Sequence, residues 1–188
     1  MKGRNFTVEQ AQADQRRAYA NGGPGTFISG LVWLVAGAVY ARTDLATGFA
    51  ALFFGGFLIF PMTLLVTRVI LRIPAEDKSN PLIKIVPEST VPMVAMLGAA
   101  WLLLPAAPEA VMPVAMLAVA THYFPFQSAY GLRIFWLLAA ITSALACAAF
   151  FMGLLRGPPL LFAMGAIELA FGAYLFTSSR RQSESVAA

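Results

Sequence analysis

The chain has 188 residues, 59% hydrophobic and 12% charged, with a formal net charge of +4 and a mean hydropathy of +0.73. Soluble globular chains carry roughly twice that charged fraction, so a water-soluble domain is excluded as the body of the protein. The positive charge falls at the ends of apolar runs, which argues for a topology signal and against a nucleic acid partner.

A bilayer core of about 30 Å needs roughly 20 apolar residues per helix. Six runs qualify, at residues 25–41, 45–71, 89–106, 109–127, 132–155 and 158–178. The sequence therefore predicts an all-α fold, an integral membrane bundle of six transmembrane helices spanning 25–178. A cytoplasmic polar helix and linker over 1–24 precede it, and a cytoplasmic tail over 179–188 follows.

In chain order, "TVEQ" comes first, with Thr7 and Gln10 at capping-box spacing ahead of a polar helix reaching about Ala20. "NGGPG" at 21–25 ends that helix, since glycine suits a left-handed cap and proline cannot continue the ladder. Residues 1–24 lack the short basic start of a cleavable signal, so the first span is expected to be retained. The outward turn "RTDL" offers Thr43 and Asp44 as caps for span two. That span is long, and it must tilt, kink at Pro61, or run into the interface where Arg68 and Arg72 snorkel. The loop "IPAEDKSNPLIKIVPEST" follows. In it Asn80 caps and Pro81 opens a short interfacial segment, with Leu82, Ile83 and Val86 toward lipid and Lys84 toward water. The outward turns around Pro108 and Pro158 are short, which excludes an external receptor domain. In spans one and six, Gly30 and Gly37, and likewise Gly165 and Gly172, lie on one helix face and allow close backbone approach.

Eleven of the 13 basic residues fall on one side of this topology; only Arg42 and Arg156 fall on the other. Lys and Arg are retained in the cytoplasm during insertion, so both termini are expected there, in a multi-pass protein of the inner (plasma) membrane. The single cysteine, Cys147, excludes an intramolecular disulfide.

The stretches "FPMTLLVTR", "DKSNPLIKI", "MLAVATHYFPFQSAYG" and "GAIELAFGAYLF" together resemble a bacterial family of small six-helix membrane proteins of unknown function. The resemblance covers roughly residues 55 to 178. It rests on the loop motif Asn80, Pro81 and Leu82, on His122 and Pro125 in a small-residue-His-x-x-Pro run, and on Glu168 in the final helix. The chain departs from the family at Thr121, where alanine is frequent. The resemblance implies an architecture and candidate positions, and no activity.

Of the nine acidic residues, Glu168 alone sits mid-span, in "MGAIELAFG". A charge at the bilayer centre costs at least about 2.5–3.5 kcal/mol, so the neutral acid is the less costly form unless a partner or water is near. His122, the single histidine, sits toward the cytoplasmic end of span four. Its depth differs from that of Glu168 by about three residues, roughly 5 Å. If spans four and six are neighbours, the two can share a proton and titrate as a unit. The plainer alternatives are a carboxyl bonding across a helix interface and a histidine satisfied at the membrane surface. Tyr123 and Thr121 flank the imidazole. Gln127 is expected at a cavity mouth, and Trp33 could stack on an organic solute or serve as packing bulk. Thr63, Thr142 and Ser143 are expected to bond back to their own helices.

One histidine and one cysteine cannot build a four-ligand zinc site. No G-x-S-x-G nucleophile motif and no phosphate-cradling glycine loop with lysine occurs. No catalytic residue, metal or cofactor is assigned, and enzyme chemistry ranks below the other classes. The leading expectation is a small proton-linked carrier or channel using an intramembrane Glu/His pair. The alternatives are a membrane scaffold or accessory subunit, and a lipid-active enzyme near His122, Tyr123 and Lys84. The partners implied are the lipid bilayer, a small molecule or ion, and a second copy or another membrane protein.

Overall fold

The computed structural model describes residues 5–187, with side chains through 182. Lys2 and Arg4 lie outside them. Thr7 caps α1 (Val8–Ala18) through a capping box: its hydroxyl accepts from Gln10 N at 3.3 Å, and Gln10 Oε1 accepts from Thr7 N at 3.1 Å. Asn21 (φ 58°) and Gly22 (φ 79°) then turn the chain through left-handed backbone, and α2 (Gly23–Arg42) starts with Pro24 in its first turn. Asp44 caps α3 (Leu45–Leu64) by accepting from Thr47 N at 2.8 Å. Beyond Pro61, α3 widens into a π-type turn over Leu65–Ile70. Proline removes one ladder donor, and such loosened turns accommodate the loss.

Asn80 caps a tight 3-10 turn at Pro81–Lys84, which runs straight into α4 (Ile85–Leu102). The third span therefore begins earlier than residue 89 and ends earlier than 106. Pro87 disguises this start in the sequence, yet it falls in the first turn of α4, where its missing N–H has no intrahelical partner to lose. The short segment expected to lie apart in the interface is instead the opening of this helix.

Among the described residues, five stretches are long and apolar enough to cross a membrane: Ala20–Arg42, Leu45–Ile70, Pro81–Leu102, Ile134–Met152 and Pro158–Gln182. The run expected as span four differs from these. It forms α5 (Pro108–His122), only 15 residues long, and a short α6 (Phe124–Tyr130), broken at Tyr123. Pro125 opens α6 and cannot donate back to Thr121, so the ladder is interrupted there. Then come α7 (Ile134–Met152) and α8 (Pro158–Ala187), which continues well past residue 178.

The helices pack as two groups. In the first, α2 lies between α8 and α3. In the second, α5 lies between α4 and α7, with nine of its 15 residues buried. The α2–α8 contact runs backbone to backbone. A Cβ on Gly30 would stand 2.8 Å from Gly165 O and 2.9 Å from Leu169 N, and one on Gly165 would stand 2.9 Å from Gly30 O. Gly37 and Gly172 lie against Phe162 and Phe27 in the same seam, as their spacing predicts. Contacts between the two groups are sparser, made by α7 and α5 against α8 and by α3 against α5.

Candidate functional site

Glu168 is fully buried on α8. Its Oε1 accepts a 2.8 Å hydrogen bond from the Tyr123 hydroxyl, which reaches across from the break between α5 and α6. The break positions that phenol: the last turn of α5 tightens, with Tyr123 N bonded to Ala120 O at 3.2 Å, and the ring turns inward to 4% exposure. It lies beside Phe126 and nearly parallel to Phe135, at centroid distances of 5.4 and 6.4 Å. From α2, the buried hydroxyls of Ser29 and Thr26 face the Tyr123–Glu168 pair. Thr26 itself donates to Gly22 O at 3.2 Å. Glu168 Oε2, also buried, has no hydrogen-bond partner. One carboxyl oxygen is thus anchored across the joint between the two helix groups, and the other is left able to take a proton.

His122 lies one residue from this pair and faces elsewhere. Its Nδ1 is 2.9 Å from the Ser89 hydroxyl of α4, and its ring meets Phe126 edge-on at 4.8 Å. Ser89 also donates to Val86 O at 2.9 Å. The hydrogen bond to Glu168 is therefore made by Tyr123, and the imidazole joins α4 to α5 instead.

The remaining candidates separate. Thr121 is exposed and bonds back to Leu117 O and Ala118 O at 2.9 and 3.0 Å. Gln127 is half-buried on α6, where its backbone carbonyl accepts from Gly131 N at 2.7 Å. Trp33 is 1% exposed and fills the core between α2 and its neighbours. Thr63 and Thr142 bond back to their own helices at 2.7 Å each, whereas the buried Ser143 hydroxyl has no partner.

Asn80, Pro81 and Leu82 serve a different site, a polar cap over the end of the bundle. The Asn80 amide donates to Ala11 O and Asp14 Oδ2 at 2.9 and 3.0 Å, while its oxygen accepts from Leu82 N at 2.9 Å. Burial alone would raise the Asp14 carboxyl, but hydrogen bonds from Asn80, Arg17 and Asp77 N outweigh it and hold the group below its ordinary 3.8. Arg68, expected to snorkel, folds inward instead. It donates to Ala18 O, pairs with Glu76 at 2.7 Å and covers the Tyr19 ring at 4.9 Å. Burial and the Glu76 carboxylate push the Tyr19 phenol up to about 12, so it stays protonated and donates to Glu76 at 3.0 Å.

Ser29, Thr26 and Ser89 were not among the residues the sequence singled out. A signal existed for the first two: Thr26, Ser29 and Trp33 recur at helical spacing on the face of α2 that carries Gly30.

Across residues 8–178 the chain matches the model of a family described as "Family of unknown function (DUF7010)". Among curated proteins and among solved structures, none matches the chain.

Proposed function

The chain belongs to that family, DUF7010, and from its geometry we propose that it is a small proton-linked membrane carrier or channel, able to pass protons without a solute, with Glu168 as the proton-binding group. The observation that carries this reading is a fully buried carboxyl with one oxygen bonded across the joint between two helix groups and the other without a partner. Ionisable side chains inside a membrane bundle are costly, and they persist chiefly where a proton or ion is handled.

In the protonated form Glu168 is neutral. Oε2 carries the proton, and Tyr123 still donates to Oε1. Loss of that proton leaves a carboxylate that draws the Ser29 hydroxyl toward Oε2 within the first group and strengthens the Tyr123 hydrogen bond across the joint. Proton occupancy then biases how the two groups meet, which is the requirement for coupling a proton to a solute. His122 exchanges protons toward the end of the bundle that carries α1. In this reading α5 and α6 together make the sixth crossing, both termini are cytoplasmic, and the protein resides in the inner membrane.

The test uses the purified protein in liposomes loaded with a pH-sensitive dye and driven by a potassium diffusion potential. Wild-type protein is expected to acidify the lumen, and Glu168→Gln to abolish the change while eluting as a folded protein. Absence of wild-type flux, or an undiminished flux in the variant, would overturn the reading. A second reading, a membrane accessory subunit, draws on the way Ser29, Tyr123 and Glu168 bring three helices together. Under it the same substitution lowers stability in detergent and leaves flux at the level of empty liposomes throughout.

A further inference from the structure

A cleft of about 780 Å³ opens at the end of the bundle that carries α1, bounded by α1, the Asn21 turn, the chain after the π-type turn, and α8. Its polar wall carries Arg16, Arg17 and Arg180, and its apolar wall carries Leu71, Ile73 and Phe176. The three arginines differ in how they are used. Arg17 pairs with Asp14 at 2.7 Å and donates to Pro74 O and Ala75 O, so its charge is balanced and its position fixed. Arg16 donates to Tyr130 O at 2.6 Å, which holds the guanidinium in place without neutralising it. Arg180 lies over the Phe176 ring at 5.9 Å. Among the described residues, the ion pairs occupy Arg17 and Arg68 and leave Arg16 and Arg180 uncompensated. Glu76 is taken by Arg68 and Tyr19.

This end of the cleft coincides with the limits of two apolar stretches, Leu45–Ile70 and Pro158–Gln182. Val69 and Ile70, just below Leu71, are exposed, so the apolar wall continues onto the lipid-facing surface. A ligand fitting both walls is anionic at one end and greasy at the other. We infer that the cleft binds the phosphate of an anionic phospholipid headgroup between Arg16 and Arg180, with its acyl chains running down past Ile73, Leu71 and Ile70. A guanidinium suits phosphate better than an ammonium does, because its planar fork donates to two oxygens together. The inference stands whether or not Glu168 moves protons.

Native mass spectrometry of the detergent-solubilised protein, titrated with phosphatidylglycerol or with phosphatidylcholine, tests it. Each arginine near the anion contributes about 1 kcal/mol, or roughly fivefold. Wild-type protein is expected to retain phosphatidylglycerol well over tenfold more tightly than phosphatidylcholine. In Arg16→Gln/Arg180→Gln that preference is expected to vanish, and Arg181→Gln, on the same helix but off the cleft, is expected to keep it. Arg180→Gln alone, which removes no hydrogen bond among the described residues, should lose roughly fivefold, so the result does not depend on the double variant folding. Equal retention of the two lipids, or an undiminished preference in both Arg180 variants, would overturn the proposal. Displacement of bound phosphatidylglycerol by glycerol phosphate or inorganic phosphate would also overturn it, assigning the cleft to a soluble phosphate.

Discussion

The Tyr123 hydroxyl donates to Glu168 Oε1 over 2.8 Å, and the two residues belong to different helix groups. Losing one partner of a buried bond costs more than losing both. Tyr123→Phe leaves Oε1 without its donor and is expected to destabilise the protein by about 1–3 kcal/mol. Glu168→Gln retains an acceptor oxygen and should cost less. Glu168→Leu combined with Tyr123→Phe should recover much of the loss, because neither group then remains unsatisfied. Thermal unfolding of wild type, Tyr123→Phe, Glu168→Leu and their double variant in one detergent measures the coupling, and strictly additive losses would refute it.

The glycine seam makes a contrast between substitutions of the same size. Gly30→Ala places a Cβ 2.8 Å from Gly165 O and 2.9 Å from Leu169 N, both backbone atoms that cannot turn aside. The helices must separate, at a cost of about 1–3 kcal/mol. Gly98, inside α4, has nothing within 4 Å of its Cβ position. Gly98→Ala should instead gain about 0.5–1 kcal/mol from reduced backbone freedom in the unfolded chain. Melting temperatures that moved together for both variants would count against the seam as the closest contact.

Acid should loosen the α1 cap. The folded value of Asp14 is depressed despite its burial, by hydrogen bonds from Asn80, Arg17 and Asp77 N. A depressed carboxyl contributes stability that is present above its ordinary 3.8 and is lost as pH falls through the lower folded value. Hydrogen exchange of residues 8–18, corrected for intrinsic rates, is expected to accelerate below that range relative to α5. Asp14→Asn should show fast exchange already at neutral pH. Identical profiles for the two proteins would remove Asp14 from this role.

Topology can be read directly. With single cysteines in a Cys147→Ala background, positions 78 and 179 are expected to react with an impermeant maleimide only after the cytoplasmic side is opened. Positions 106 and 156 should react in intact spheroplasts. A difference in sidedness between 106 and 156, or between 78 and 179, would require a different number of crossings, and protection at 106 and 156 with labelling at 78 and 179 would invert the orientation.

Depth was legible in the sequence and azimuth was not. Counting from the turns placed Glu168 and the His122 region at similar levels, because rise per residue is nearly constant along a helix. Which neighbour faces α8 depends on rotation, about 100° per residue, and the break before Pro125 resets it; Tyr123 points inward and His122 toward Ser89. Local signals carried through: the Thr7–Gln10 box, the Asp44 cap and the seven-residue glycine spacing each act within two turns or along one face. Arg68 failed because its partners are non-local in origin. Ala18 and Glu76 meet it through the wrapping of α1 and the loop after residue 71, which no helical pattern encodes.

The intimate contact between α2 and α8 also constrains biosynthesis. The helix that α2 fits most closely is made only after α3 to α7, so its glycine face waits beside lipid and α3 until residue 158 and beyond have been inserted. The seam between α2 and α8 therefore closes only after the whole second helix group has been made. A product truncated before α8 would leave that glycine face open to whatever helix the membrane next supplies.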